Sequence, residues 1–141
     1  MSNNTDNQNN LPDSYPEVES FEELDISQQI LKGIFSYGFE RPSPIQKKAI
    51  NPVLAGRDVI AQAQSGTGKT ATFCLGVLGL IDEKKNETQG LVLAHTRELA
   101  LQIHIVFKNI SNYMNIVFNL SVGGVSVKEN IESLSKKEKK P

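Results

Sequence analysis

The chain is short of several things, and each shortage excludes a class of protein. It has one cysteine, Cys74, in 141 residues, so no internal disulfide framework and no cysteine-rich metal site can be built from it. Nowhere do eighteen apolar residues run together, so no transmembrane helix is expected. The opening Met1–Asn10 stretch has neither a basic n-region nor an apolar run, so it does not read as a secretory signal. The expectation is an intracellular protein in a reducing compartment, cytoplasmic in preference to nuclear.

Basic charge is missing from the front of the chain. Residues 1–25 hold seven acidic side chains and no Lys or Arg; the remainder holds 15 basic and 9 acidic residues, a surplus of six. A basic body suits a phosphate-rich partner, although a solvated lysine surface has the same composition. Residues 1–20 are rich in Asn, Ser, Asp and Pro and read as a disordered acidic leader. A domain is expected over 21–135, with a frayed tail at 136–141.

Within that domain, Ser27 can cap a helix through Ile30, Leu31, Ile34 and Phe35, stopped by Gly38. Ser43 and Pro44 read as the N-cap and first residue of a second helix reaching about Leu54, with Pro52 a possible early break. Residues 58–63 form a short apolar run, expected as a buried strand. A helix follows from about Lys69 to Asp82, and its Gly76 and Gly79 predict close packing. Residues 91–94 predict a second buried strand. Thr96 caps a helix whose apolar stripe is Leu99, Ile103, Val106, Ile110 and Tyr113. A third strand is expected over 116–122, and Gly123-Gly124 turns into a last helical stretch through Val127, Ile131 and Leu134. Alternating strands and helices predict an α/β fold with a parallel sheet and flanking helices. Ligands of such sheets bind at the carboxyl ends of the strands.

The strongest chemical signal is Ala63-Gln64-Ser65-Gly66-Thr67-Gly68-Lys69-Thr70. Its glycines let backbone N–H groups turn inward around a polyphosphate, and the helix that begins here adds its positive end. Lys69 can reach the outer phosphates, and the Thr70 hydroxyl can ligate Mg²⁺. Gln46 carries one acceptor and two donors on its amide, the complement of the amino group and N7 of adenine.

Three segments in order, Gly38–Gln46, Ala63–Thr70 and Thr96–Ala100, resemble the Q motif, motif I and motif Ia of the DEAD-box RNA helicases. Gly123-Gly124 is similar to that family's GG element. Phe21, seventeen residues before Gly38, stands where the family has an isolated aromatic. Within the family, Tyr37–Glu40, Asp58–Ile60 and Ala61–Gln64 look most like the translation-initiation branch. The resemblance implies a partial RecA-like P-loop NTPase domain, truncated before the Asp-Glu-Ala-Asp box. It implies ATP and Mg²⁺ as cofactors and single-stranded RNA as partner. In an intact protein of the initiation type it also implies a scaffold subunit of the cap-binding complex.

Residue by residue, the resemblance assigns Phe21, Phe39, Arg41 and Gln46 to the base, with Phe21 either stacking on adenine or packing in the domain. It assigns Ala63, Gln64, Ser65, Gly66, Thr67, Gly68, Lys69 and Thr70 to the phosphates and metal. Thr96, Arg97, Glu98, Gly123 and Gly124 fall to the RNA backbone, with Glu98 capping or orienting its turn. No complete catalytic set is present, though Lys69 and Thr70 contribute to one, so the chain by itself is expected to be inactive; missing sheet neighbours and an open strand edge predict that it is marginally stable or aggregation-prone. His95 departs from the pattern, standing where the family usually has proline. That loosens the backbone entering the helix; a catalytic or metal-binding histidine is the alternative, with His104 the only other histidine. Other P-loop NTPases and a non-catalytic nucleotide-binding module are the rival readings. Both account for Gly66–Thr70, but a generic P-loop NTPase leaves the flanking segments unexplained.

Overall fold

The computed structural model describes residues 14–135. Its elements are a 3₁₀ turn at Phe21–Glu23 and helices α1 (Gln28–Ser36), α2 (Pro44–Leu54), α3 (Lys69–Leu80), α4 (Arg97–Ile110) and α5 (Val127–Ser135). The helix starts follow the expected caps. Ser27 Oγ accepts from the Ile30 N–H and Thr96 Oγ from the Leu99 N–H, satisfying donors that a helix N-terminus leaves open. Pro52 does not end α2, which runs on to Leu54.

Glycines set the helix spacings. A methyl group at Gly76 would lie 2.4 Å from Val53 Cγ1, and one at Gly79 would lie 2.3 Å from Leu54 Cδ2. These contacts pin α2 along α3, as the two glycines implied. Gly33 allows a closer approach still: a methyl there would lie 1.7 Å from the Ile110 carbonyl oxygen, so α1 meets the end of α4 backbone to backbone. Around these crossings lies one apolar core. Phe21, Ile34, Ile50, Cys74, Leu75, Leu78 and Ile110 are fully buried, with Ile103 and Phe107 beside them. Burial pushes the Cys74 thiol up to about 12, so it acts as a small core hydrophobe.

One expectation needs correction. Residues 14–20 do not belong to an unstructured leader, because they run along α2. Val18 is buried, its N–H donates to the Lys47 carbonyl, and the Asn51 amide donates to the Pro16 carbonyl. Glu19 and Glu17 face Lys47 and Lys48, giving the acidic stretch a local charge partner. Residues 1–13 and the 136–141 tail lie outside the described residues.

The expected sheet is not formed among the described residues. Residues 58–63, 91–94 and 116–122 are without helix, but no strand forms among the described residues. Ile60 is 104% exposed, and Leu91 and Leu93 are 81% and 84% exposed. A ladder needs a neighbour within about 4.8 Å across the hydrogen bonds, and no backbone hydrogen bond joins these three segments. Their apolar composition was legible, whereas pairing depends on which strand lies next in space. No helix of the described residues is long and apolar enough to cross a membrane.

His104 is held below its ordinary value of 6.5, first by burial and then by the charge of Lys108; its ring meets Phe118 edge-on. The folded chain therefore resists a proton that the unfolded chain accepts. Stability from this source is present above about pH 6.5 and falls as pH drops towards the lowered folded value. The denaturation midpoint should decrease from about pH 7.5 to about pH 5.5, and less so in His104→Gln. Gly33→Ala should cost about 3 kcal/mol or more because the obstruction is backbone. Gly38→Ala, at φ +96° with open space around it, should cost nearer 1 kcal/mol. Urea unfolding of the two variants measures the difference.

Candidate nucleotide and nucleic-acid sites

The loop before α3 turns through Gly66 (φ +78°) and Gly68 (φ +94°), left-handed conformations that glycine adopts without strain. Thr67 Oγ1 donates to the Gln64 carbonyl at 2.7 Å, closing the turn. Lys69 Nζ folds back and donates to the Ala63 and Gln64 carbonyls at 2.5 and 2.6 Å. The N–H groups of residues 65–69 donate to no acceptor among the described residues. A run of free donors at a helix start, with a lysine across it, has the chemistry of an anion cradle.

The Gly68 carbonyl is a junction. It accepts from the Thr72 N–H and Thr72 Oγ1, both at 3.0 Å, and from Gln46 Nε2 at 3.4 Å. Gln46, 2% exposed, also accepts the Ser43 N–H on Oε1 at 2.8 Å. The residue expected to read the base is thus held one position from the lysine expected to hold the phosphates. At 3.4 Å the Gly68 bond is the weaker of the two, and Ser43 fixes the orientation of the amide. Ser43 Oγ is buried and has no hydrogen-bond partner. A methyl on Gly68 would come within 2.7 Å of Gln46 Nε2 and 3.3 Å of Ser43 Oγ. Free loop donors, an orphaned hydroxyl and a junction too tight for a side chain fit a nucleotide with a polyphosphate tail.

The remaining base residues divide. Phe39 is half-buried and stacks obliquely with Tyr37, centroids 5.0 Å apart. Arg41 is exposed and makes no hydrogen bond to the loop among the described residues. Phe21 is 0% exposed, 6.3 Å from Phe39 between centroids, so in this structure its ring packs in the core and offers no face to a base. Thr72 is a loop-positioning residue that sequence reasoning missed; a threonine one turn after a loop glycine, able to bond back to its carbonyl, was the available signal.

At the start of α4 the expected RNA residues come together. Arg97 Nη1 donates to the Gly123 carbonyl at 2.6 Å, and a methyl on Gly124 (φ +87°) would lie 2.8 Å from the same nitrogen. Thr96, not Glu98, caps the helix; the Glu98 side chain is exposed and makes no ion pair among the described residues. Ala94, His95, Thr96, Arg97, Ala100, Ser121, Val122 and Gly123 line a cavity of about 180 Å³ here. A larger cavity of about 420 Å³ lies at the far end of α3 and is lined by none of the expected site residues. No cluster of three His, Cys, Asp or Glu side chains able to hold a metal occurs among the described residues.

The glycine-rich loop before α3, with the Gln46 amide bonded to it, has the form of a P-loop. The DEAD/DEAH box helicase family matches residues 43–140, and the chain belongs to that family. It is 53% identical over 116 residues to the ATP-dependent RNA helicase eIF4A of Debaryomyces hansenii, covering 82% of this chain and 29% of that protein. The ATP-dependent RNA helicase FAL1 of Candida albicans is 52% identical over 115 residues, covering 82% and 29%. Among solved structures, a DEAD box protein from Methanococcus jannaschii superposes with a TM-score of 0.79 at 34% identity, over 84% of this chain and 32% of that one. Dbp5 of Saccharomyces cerevisiae, solved with RNA and ADP BeF₃, gives 0.66 at 39% identity, over 69% and 25%. These neighbours place the chain in the RecA-like fold of that family. The chain spans under a third of the length of these relatives.

If Gln46 reads the base, Gln46→Ala should lower ATP affinity about tenfold or more and leave GTP affinity little changed. Competition between the two nucleotides for a fluorescent ATP analogue measures this. Equal loss for both would assign Gln46 to loop support alone.

Proposed function

We propose that this chain forms the ATP- and RNA-gripping front of an ATP-dependent RNA helicase of the translation-initiation type. The observation that carries this reading is the Gln46–Gly68 contact, which joins a base-reading amide to a phosphate cradle. The adenine lies against Gln46, Phe39 and Arg41. The N–H groups of residues 64–69 and the Lys69 ammonium receive the phosphates, and the Thr70 hydroxyl takes a place on Mg²⁺. Lys69 gives up the Ala63 and Gln64 carbonyls and turns its charge outward. Bound ATP supplies a transferable phosphoryl group, whose chemistry calls for positioning and charge neutralisation.

RNA runs over Thr96, Arg97 and Glu98 and past Gly123 and Gly124. Those contacts meet sugar and phosphate, so binding is independent of base sequence and weakens with salt. The three apolar extended segments act as strands of a parallel sheet once further strands pair with them; their exposed apolar side chains and unpaired backbone support this. In the whole protein the setting is the cytoplasm, and the partners are RNA and a cap-complex scaffold.

The 141 residues contain no Asp-Glu-Ala-Asp run, so grip and hydrolysis separate experimentally. The chain should bind ATP with Mg²⁺, and Lys69→Ala should weaken that binding about tenfold or more. RNA should not stimulate phosphate release from the chain by itself. Unchanged ATP affinity in Lys69→Ala, or RNA-stimulated release, contradicts the proposal.

A further inference from the structure

Residues 16–19 form a strap along the outer face of α2 and meet the helix at four points. The Asn51 amide donates to the Pro16 carbonyl at 2.9 Å, and the Val18 N–H donates to the Lys47 carbonyl at 3.4 Å. Glu19 pairs with Lys47, and Glu17 pairs with Lys48 at 3.6 Å. No other ion pair forms among the described residues. The strap and the helix run in opposite directions. Pro16 to Val18 is two residues, about 7 Å of extended chain, and Asn51 back to Lys47 is four, about 6 Å of helix. The two therefore keep step over one helical turn, with Val18 buried in the core at 3% exposure between them.

That turn is where α2 is weakest. Pro52 has no N–H, so it cannot donate to the Lys48 carbonyl, and the hydrogen-bond ladder of α2 lacks a rung there. The residues that seat against Gly76 and Gly79 of α3 are Val53 and Leu54, both after Pro52. Gln46 comes before it. Ala49 and Ile50 hold the Gln46 side of the break from beneath, and the strap holds it from outside at Lys47, Lys48 and Asn51.

We infer that the 16–19 strap is a positioning element for base recognition: by splinting α2 beside Pro52 it fixes the first turns of the helix, and with them the place of the Gln46 amide. This rests on the reading of Gln46 given under the proposed function. Lys47 follows Gln46 directly, so a shift of the helix at Lys47 carries the amide with it. Gln46 Nε2 stands 3.4 Å from the Gly68 carbonyl, at the long end of a hydrogen bond, so a further displacement of a few tenths of an ångström ends the contact. The phosphate end is held independently. Thr67 and Lys69 bond to carbonyls of the loop itself, and Thr72 bonds to the Gly68 carbonyl. Loss of the strap is therefore felt at the base and not at the phosphates, which separates positioning from general support of the fold.

The test measures the affinity of the full chain for Mg²⁺-ATP, Mg²⁺-GTP and inorganic tripolyphosphate by calorimetry at low salt, with thermal unfolding of each variant alongside. Glu17→Lys with Glu19→Lys places like charges across both pairs. It should lower the ratio of ATP to GTP affinity about three- to tenfold, the combined size of two exposed pairs, and leave tripolyphosphate binding no weaker. Adding Lys47→Glu and Lys48→Glu restores opposite charges and the native net charge, and should recover the ratio. Val18→Ala, which alters no charge, should lower the ratio in the same direction. Both pairs are exposed, so reversal should leave a folded chain; if it does not, Glu17→Gln with Glu19→Gln removes the pairs without repulsion and should lower the ratio by a smaller factor.

Equal weakening of ATP, GTP and tripolyphosphate in these variants would make the strap a general support and overturn the inference. An unchanged ratio in the strap variants, with adenine preference lost in Gln46→Ala, overturns the inference and leaves the base reading standing. Adenine preference that survives Gln46→Ala overturns both.

Discussion

The geometry of the loop before α3 depends on the carbonyl of Gly68. Three donors converge on it: the Thr72 N–H, the Thr72 hydroxyl and the Gln46 amide. Thr72 ties the loop into the first turn of α3, and Gln46 ties it to α2. Neither partner is exposed, so the three bonds act where water competes weakly. Gly68 itself has to be glycine twice over, once for its left-handed backbone and once because a side chain would occupy the space of Gln46 and Ser43.

That junction can exist only because α2 and α3 run side by side in the same direction. Gln46 meets Gly68 near the helix starts, and Val53 meets Gly76 further along. Those are seven and eight residues on, about 10 to 12 Å along either axis at 1.5 Å per residue. The missing side chains at Gly76 and Gly79 bring the axes close; the core beneath, with Ile50, Leu75 and Leu78 fully buried, keeps them there. Helix packing therefore sets the geometry of the site. The second site follows the same logic: Phe73 of α3 packs on Phe107 of α4, and α4 carries Thr96 and Arg97 at its start.

Much of this was legible in the sequence because it is local. Caps at Ser27 and Thr96 and the glycine-rich loop before Lys69 are each written within a few residues. So was the meaning of Gly76 and Gly79, since glycines inside an apolar helix leave few uses other than close approach. What was not legible depends on distant neighbours. The apolar runs at 58–63, 91–94 and 116–122 have strand composition, yet a strand is a relation between two segments, and these three do not pair with one another. Phe21 carried two readings, stacking or packing, and its complete burial against the core decides for packing in this structure. The acidic run before it read as unstructured, because the sequence does not reveal that Lys47 and Lys48 on α2 lie opposite Glu19 and Glu17. Thr72 escaped notice because its role is a bond back to a carbonyl that matters only when Gln46 arrives from elsewhere.

The central claim is that one ligand spans from the Gln46 amide to the loop at Lys69. Nitrogen-15 NMR of the chain during titration with Mg²⁺-ATP tests it most directly. The side-chain NH₂ signals of Gln46 and the backbone signals of Gly66 and Gly68 should move together and saturate at one concentration, while inorganic tripolyphosphate should move the loop signals with little effect at Gln46. Loop signals that respond to ATP while Gln46 stays still, or responses that saturate at different concentrations, would contradict it.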